Sequence, residues 1–262
     1  MKRIFLNDAI TETVTISGKD AHHLAYSLRA KKGDKIVAVD KFGNTAVLEL
    51  EDFDKETISA KCIGEITRVK SSGIDVRITL AECLPKQNKF DFIVEKATEL
   101  GVDKIEPLIS DRTIARPADF RVKSKMDRWA RVAKEAAEQC ARDTLPEIGA
   151  IREISDWLKE ISPTLGHFKS NTKKFDGKGA LLIFCYEEEN EVPLQKILRE
   201  YKNCDCEKNI ILLIGPEGGF TEREAEEIIS CGGVSVTLGN TVLKTDTAAI
   251  SAIAAVKYEF SC

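Results

Sequence analysis

Hydrophobic and polar positions repeat with two different periods along this chain, and the change of period divides it. Over residues 1–70 the apolar runs are short and alternate with polar positions, as half-buried strands require. Lys35-Ile36-Val37-Ala38-Val39-Asp40 and Thr45-Ala46-Val47-Leu48-Glu49-Leu50 read as strands joined by the turn Phe42-Gly43-Asn44, and residues 57–66 give another. Residues 22–29 are helix-like and end near Gly33. Small, closely spaced strands with little helix predict a compact β-barrel. Small polar residues at Lys70-Ser71-Ser72-Gly73 then separate two strand-like runs, which places a boundary between units 1–71 and 72–262.

Beyond that boundary the pattern becomes one of continuous apolar strands alternating with helices. Residues 76–81 read as a strand, and Phe90, Ile93, Val94, Ala97 and Leu100 follow at helical spacing, closed by Gly101. Residues 104–109 give the next strand, and Trp129, Val132, Ala133, Ala136, Ala137 and Cys140 mark a long amphipathic helix. Later strands cover 180–185, 209–214 and 234–238, each followed by a helical stretch, while 163–179 reads as a long surface loop. Such alternation predicts an α/β fold whose parallel sheet is covered on both faces.

Composition narrows the class. In a chain of 262 residues, 43% hydrophobic and 31% charged, a well-formed core is expected and disorder is not. No apolar run approaches the roughly 20 residues of a membrane-spanning helix, and the basic N-terminus lacks the apolar stretch of a signal peptide. The 8 cysteines are scattered without the spacing of a zinc site or a disulfide framework, so reduced thiols and a cytoplasmic protein without metal are expected. A net charge of −4 speaks against a nucleic-acid partner, but its distribution is uneven. Basic residues outnumber acids between Arg112 and Arg142, and a second group comprises Lys19, Arg29, Lys31, Lys32 and Lys35. Solvated helix faces would account for the same charges.

Chemistry concentrates in two loops at the carboxyl ends of late strands, where parallel sheets bind ligands. One runs Leu213-Ile214-Gly215-Pro216-Glu217-Gly218-Gly219-Phe220, and its glycines let backbone groups approach a ligand closely. Thr221 and Glu224 behind it form a capping-box pattern. The other runs Leu238-Gly239-Asn240-Thr241-Val242-Leu243-Lys244-Thr245-Asp246-Thr247-Ala248, rich in helix N-cap residues. Neither is a dinucleotide fingerprint or a P-loop. A tight strand–helix turn and a well-capped terminal helix would explain each loop taken alone.

Together the two loops resemble the cofactor-binding signature of SPOUT methyltransferases, and more closely that of the RsmE family. Further stretches agree in order: His22-His23-Leu24 with Leu28-Arg29 and Gly33-Asp34; Lys86 followed by residues 96–102 and Pro107-Leu108; Arg128-Trp129; and residues 135–142 with Pro146. The likeness covers nearly the whole chain. One departure is Leu243-Lys244-Thr245-Asp246-Thr247-Ala248, where the family usually has Leu-Arg-Thr-Glu-Thr-Ala; lysine keeps the charge but loses the planar fork of arginine.

The resemblance implies a PUA-like, RNA-binding β-barrel over 1–71 and, over 72–262, a methyltransferase domain whose last segment threads a trefoil knot, in a homodimer. It implies S-adenosylmethionine as cofactor and, as reaction, methylation of N3 of a uridine in 16S ribosomal RNA within the small subunit. Leu213, Ile214, Gly215, Glu217, Gly218, Gly219, Leu238, Gly239, Leu243, Thr245, Thr247 and Ala248 are the expected cofactor residues. Glu217, Arg112 and Arg142 are the expected catalytic groups, with Glu217 equally able to cap its own loop. Arg29, Lys31, Lys32, Lys86, Glu99, Arg112, Gln139 and Arg142 are expected to contact RNA, with Lys96 and Glu99 equally able to form a helix-surface ion pair. The competing expectations are a SPOUT enzyme acting on another RNA and an RNA-binding assembly factor with an inactive cofactor site.

Overall fold

The computed structural model describes residues 1–54, 56–68, 76–86, 89–168 and 175–260. The chain separates into two compact units, Met1–Gly73 with Lys134–Leu145, and Ile74–Ala133 with Pro146–Cys262. The stretch 70–73, where the boundary is read in the sequence, lies outside the described residues.

The first unit contains β1 (Lys2–Phe5), β2 (Thr13–Ser17), α1 (Gly18–His22), β3 (Lys35–Val39), β4 (Asn44–Phe53), β5 (Thr57–Cys62) and β6 (Thr67–Arg68). Its strands follow the order β1-β3-β4-β5-β2, with β6 added to β4 and only the β1–β3 pair parallel. Alternation decides the buried side: Val14 and Ile16 of β2 point inward between exposed neighbours, and they meet Ile36, Leu48 and Ile58 in one core. Two expectations are corrected here. The run 57–66 breaks after Cys62, and the helical stretch begins earlier, at Gly18, passing into a π-helical turn at His23–Ser27. No ladder joins β2 back to β1 among the described residues.

The second unit is built from β7 (Val76–Cys83), α2 (Lys89–Glu99), β8 (Lys104–Ile109), α3 (Asp119–Gln139), β9 (Glu147–Ile148), β10 (Arg152–Glu153), α4 (Ile154–Ile161), β11 (Leu181–Cys185), α5 (Leu194–Lys202), β12 (Lys208–Ile214), α6 (Glu222–Ser230), β13 (Val234–Val236) and α7 (Thr245–Phe260). From residue 134 onward α3 groups with the first unit, where Ala137 packs on Phe5 and Val39. The sheet order is β10-β8-β7-β12-β11-β13, all parallel, with β9 also on β8.

Both faces of this sheet are covered, which is why runs such as Leu181–Cys185 and residues 210–214 are apolar. Ile78, Leu80, Ile183 and Leu212 join one core with α2, α5 and the small residues Ala248, Ala249 and Ala252 of α7. Ala81, Cys83, Phe184 and Leu213 join the other with Trp157 of α4 and Ile228 of α6. Of the run 163–179, residues 169–174 lie outside the described residues, and the rest is packed rather than a bare surface loop: Leu165 bridges Ala180 and Phe175 is buried against Tyr201. Among the described residues no helix is long and apolar enough to cross a membrane, and the cysteines are free.

Chain order sets where a ligand can sit. β7 and β8 run toward one edge, whereas β11 and β12 return to the other side of β7. The loops leaving β11, β12 and β13 therefore meet at one end of the sheet, beside the place where the strand order reverses at β7.

Candidate functional site

The loop leaving β12 turns sharply at Gly215. The Gly219 amide donates to the Pro216 carbonyl at 2.9 Å, and Gly219 holds φ at +66°, a left-handed value that suits glycine. A side-chain carbon at Gly219 would lie 1.6 Å from Oε1 of Glu187, one at Gly218 3.3 Å from Arg112, and one at Gly215 3.1 Å from the Phe220 ring. These glycines are sites of close approach. Behind them, Thr221 and Glu224 complete the capping box of α6, and the buried Glu224 also accepts the Asp111 amide at 2.8 Å.

The second loop follows β13. Gly239 adopts φ +131°, with open space where a side chain would begin. The loop ends at Thr245, the first residue of α7, where the Ala248 amide donates to Lys244 O at 2.8 Å. Thr245 Oγ1 lies 2.8 Å from the Gly215 carbonyl oxygen and 2.8 Å from Oε1 of Glu82. Glu82 stands at the end of β7, opposite Ile214 of β12, and is fully buried.

These loops enclose a cavity of about 410 Å³ lined by residues 214–219, 236–245 and Ala248, and by Cys185, Tyr186, Glu187 and Asn190. Of the expected cofactor residues, Ile214, Gly215, Glu217, Gly218, Gly219, Leu238, Gly239, Leu243, Thr245 and Ala248 line it. Leu213 does not: strand alternation turns it into the core on the far face of the sheet. Thr247 lies outside the lining, exposed on α7. The wall after β11 was missed in the sequence, although the rule that ligands bind beyond strand carboxyl ends applies to it equally.

Glu217 lines the cavity and also makes two contacts beyond it. Both its oxygens accept the Lys86 amide at 3.1 Å, and Lys89 Nζ stands 3.4 Å away. Arg112 is exposed and donates from Nη1 to Gly218 O at 2.7 Å. Burial pushes the Cys185 thiol up to about 12, with the carboxyl of Glu82 adding to the effect. Burial likewise raises Glu82 well above its ordinary value of 4.5, and the charges of Asp246 and Glu217 reinforce the effect.

The expected RNA residues divide between the units. Arg29, Lys31, Lys32, Gln139 and the half-buried Arg142 belong to the first, and Lys86, Glu99 and Arg112 to the second. Arg29 is exposed at φ +50°, Arg142 Nη2 meets Thr144 Oγ1 at 3.3 Å, and Glu99 pairs with Lys96 at 2.8 Å. Lys244, the departure from the family pattern, is exposed and lines the cavity.

A parallel sheet whose late loops wall a cavity of this size defines an α/β protein with a small-molecule site at the carboxyl ends of its strands. The RNA methyltransferase domain family matches residues 73–257, and the RNA methyltransferase PUA domain family matches 16–63. The chain is 29% identical to the ribosomal RNA small subunit methyltransferase E of Bacillus subtilis, over 94% of this chain and 90% of that protein. It is 31% identical to its namesake from Synechocystis, over 94% and 73% respectively. The crystal structure of a ribosomal RNA small subunit methyltransferase E from Neisseria gonorrhoeae bound to S-adenosyl methionine superposes with a TM-score of 0.79 at 27% identity, covering 98% of this chain and 97% of that one. The chain belongs to the RNA methyltransferase family, in the group of the ribosomal RNA small subunit methyltransferases E.

Proposed function

We propose that this protein transfers a methyl group from S-adenosylmethionine to N3 of a uridine in 16S ribosomal RNA, acting in the cytoplasm as a homodimer on the small ribosomal subunit. The observation that carries the reading is the cavity of about 410 Å³ walled by the two glycine-bearing loops. Its size falls within the roughly 300–1,000 Å³ of small-molecule sites. Its walls fit the methyl donor: bare backbone at Gly215, Gly218, Gly219 and Gly239 admits close main-chain contacts. Ile214, Leu238, Leu243 and Ala248 offer apolar surface, and Glu187 sets a carboxylate beside a site for a cationic sulfonium.

When bound, S-adenosylmethionine supplies a methyl group already activated by its sulfonium charge. What remains for the protein is to hold the base in line with it, a matter of proximity and orientation, and to manage the proton on N3. Arg112, held against Gly218, stabilises the uridine anion electrostatically. Glu217 accepts the Lys86 amide and faces the Lys89 ammonium. The unit around 1–71 is the PUA-like RNA-binding domain, in which Arg29, Lys31 and Lys32 grip phosphates; Lys86, Glu99 and Gln139 are further RNA contacts. The segment after β12, through α7, threads the trefoil knot of the SPOUT fold within the methyltransferase domain.

Small subunits from a strain lacking the gene test this. Incubated with the protein and S-adenosylmethionine, their 16S RNA gains N3-methyluridine by mass spectrometry of its nucleosides. Methylation of transfer RNA alone, or of a ribose hydroxyl, would replace the substrate, and failure to methylate any RNA would end the enzymatic reading.

A further inference from the structure

Thr245 has one hydroxyl proton and two neighbours that ordinarily accept. Its Oγ1 stands 2.8 Å from the Gly215 carbonyl oxygen and 2.8 Å from Glu82 Oε1, and all three residues are buried. A hydroxyl donates once. The carbonyl can only accept, so when Thr245 donates to Gly215 the proton shared with Glu82 must come from the acid. Were Glu82 ionised, one of the two contacts would bring acceptor against acceptor without a proton, in a place closed to water. The second oxygen, Oε2, has no hydrogen-bond partner among the described residues. That position is tolerable for the carbonyl oxygen of a neutral acid and costly for half of a buried carboxylate.

The surroundings agree. The charged neighbours acting on Glu82 are acids, Asp246 from α7 and Glu217 from the first cavity loop. The thiols of Cys83 and Cys185, on the same two strands as the acid and the third cavity wall, are likewise shifted toward their protonated forms by burial. The hydrogen bonds therefore run in one direction, from Glu82 to Thr245 to Gly215, and join the end of β7, the start of α7 and the loop after β12.

We propose that Glu82 is a positioning residue for the methyl donor: through Thr245 it clasps the end of the second cavity loop to Gly215 and fixes the spacing of the two walls. This rests on reading the cavity as an S-adenosylmethionine site. Deprotonating the acid breaks the clasp. Its folded-state value is raised, so the neutral form is fully present below 4.5 and is lost as pH rises through the folded value. Donor affinity declines with it. Glutamine has nearly the same shape, stays neutral and carries an N–H to give Thr245, so Glu82→Gln preserves the clasp without the titration.

The test is calorimetric titration of the full-length protein with S-adenosylmethionine across the neutral and alkaline range. Wild type, Glu82→Gln, Glu82→Ala and Thr245→Val are compared. Wild-type affinity falls as pH rises while that of Glu82→Gln stays level relative to it; the donor's own amino group titrates equally in both and cancels. Glu82→Ala and Thr245→Val bind the donor about three- to tenfold more weakly, the worth of one hydrogen bond. Their loss lies in KM for the donor, with KM for RNA unchanged. Parallel pH profiles for wild type and Glu82→Gln, or undiminished affinity in Thr245→Val, overturn the proposal. If Glu82→Ala folds poorly, the other two variants decide. A wild type that binds no donor defeats the cavity reading and this inference together, whereas wild-type binding with unaffected variants defeats this inference alone.

Discussion

Both carboxylate oxygens of Glu217 lie 3.1 Å from the backbone nitrogen of Lys86, so the glycine-bearing loop after β12 is tied to the segment that follows β7. An anchor and a proton acceptor respond differently to substitution. Glutamine keeps one accepting oxygen for that amide but has no basicity. Glu217→Gln is therefore expected to lose less than about tenfold in kcat. Removal of a general base costs roughly 10²–10⁴-fold, and a loss of that size in single-turnover assays would make Glu217 the base.

The close approaches at the cavity floor predict an intolerance. Gly219→Ala would force a left-handed residue to carry a side-chain carbon 1.6 Å from Glu187 Oε1. The dihedral alone costs about 1–3 kcal/mol, and the carboxylate must move as well. We expect weakened donor binding by calorimetry together with a lowered melting temperature. Wild-type values for both would show that the loop relaxes freely.

Capping should separate stability from function. Thr221 accepts the Glu224 amide at 3.2 Å, and Glu224 returns the bond to the Thr221 amide at 2.9 Å. Thr221→Ala is expected to destabilise by about 0.5–2 kcal/mol in urea unfolding, with activity per folded molecule preserved. A stability equal to wild type would mean that the rest of the loop holds α6 in place.

Glu138 gives the first unit a pH dependence. Burial raises its carboxyl to about 7, opposed by the Phe5 amide and by Lys134. A raised acid favours the folded state most below its ordinary 4.5, and that contribution disappears as pH climbs through about 7. Relative to Glu138→Gln, wild type therefore loses stability over this window and levels off above it. Denaturant midpoints for the pair across the window check this, and parallel curves would show that Glu138 does not titrate there.

Salt dependence isolates the basic surface. Lys31 and Lys32 are exposed. If each neutralises a phosphate, Lys31→Ala and Lys32→Ala each lower the slope of log affinity against log salt by roughly 0.7–0.9, with donor affinity unchanged. Unaltered slopes in RNA-binding assays would remove them from the interface.

The α/β alternation was legible because strands covered on both faces favour apolar residues without interruption, as in residues 181–185 and 210–214. The two glycine loops were legible for a related reason: glycine is costly in regular structure, so clusters of it mark close approach. Other features left weaker traces. Phe175 sits among the polar residues of an apparent loop, yet its ring packs at 4.9 Å on Tyr201, far along the chain. Leu213 shares a motif with Ile214, but alternation sends it to the opposite face. Glu187 reads as one of three consecutive acids, and its place in the cavity wall follows from strand order rather than local pattern. Glu82 did leave a signal, a lone carboxyl in the apolar strand Val76–Cys83, where a charge would be hard to keep.

The Cys185 thiol lines the cavity with its proton held up to about 12. Sulfur attacks as thiolate, and a sulfonium alkylates whatever soft nucleophile stands beside it. A cysteine in that wall with ordinary acidity would invite self-alkylation during idle periods between RNA substrates. Burial, which shifts both this thiol and the neighbouring Glu82 toward their protonated forms, thus lowers the nucleophilicity of the cavity wall.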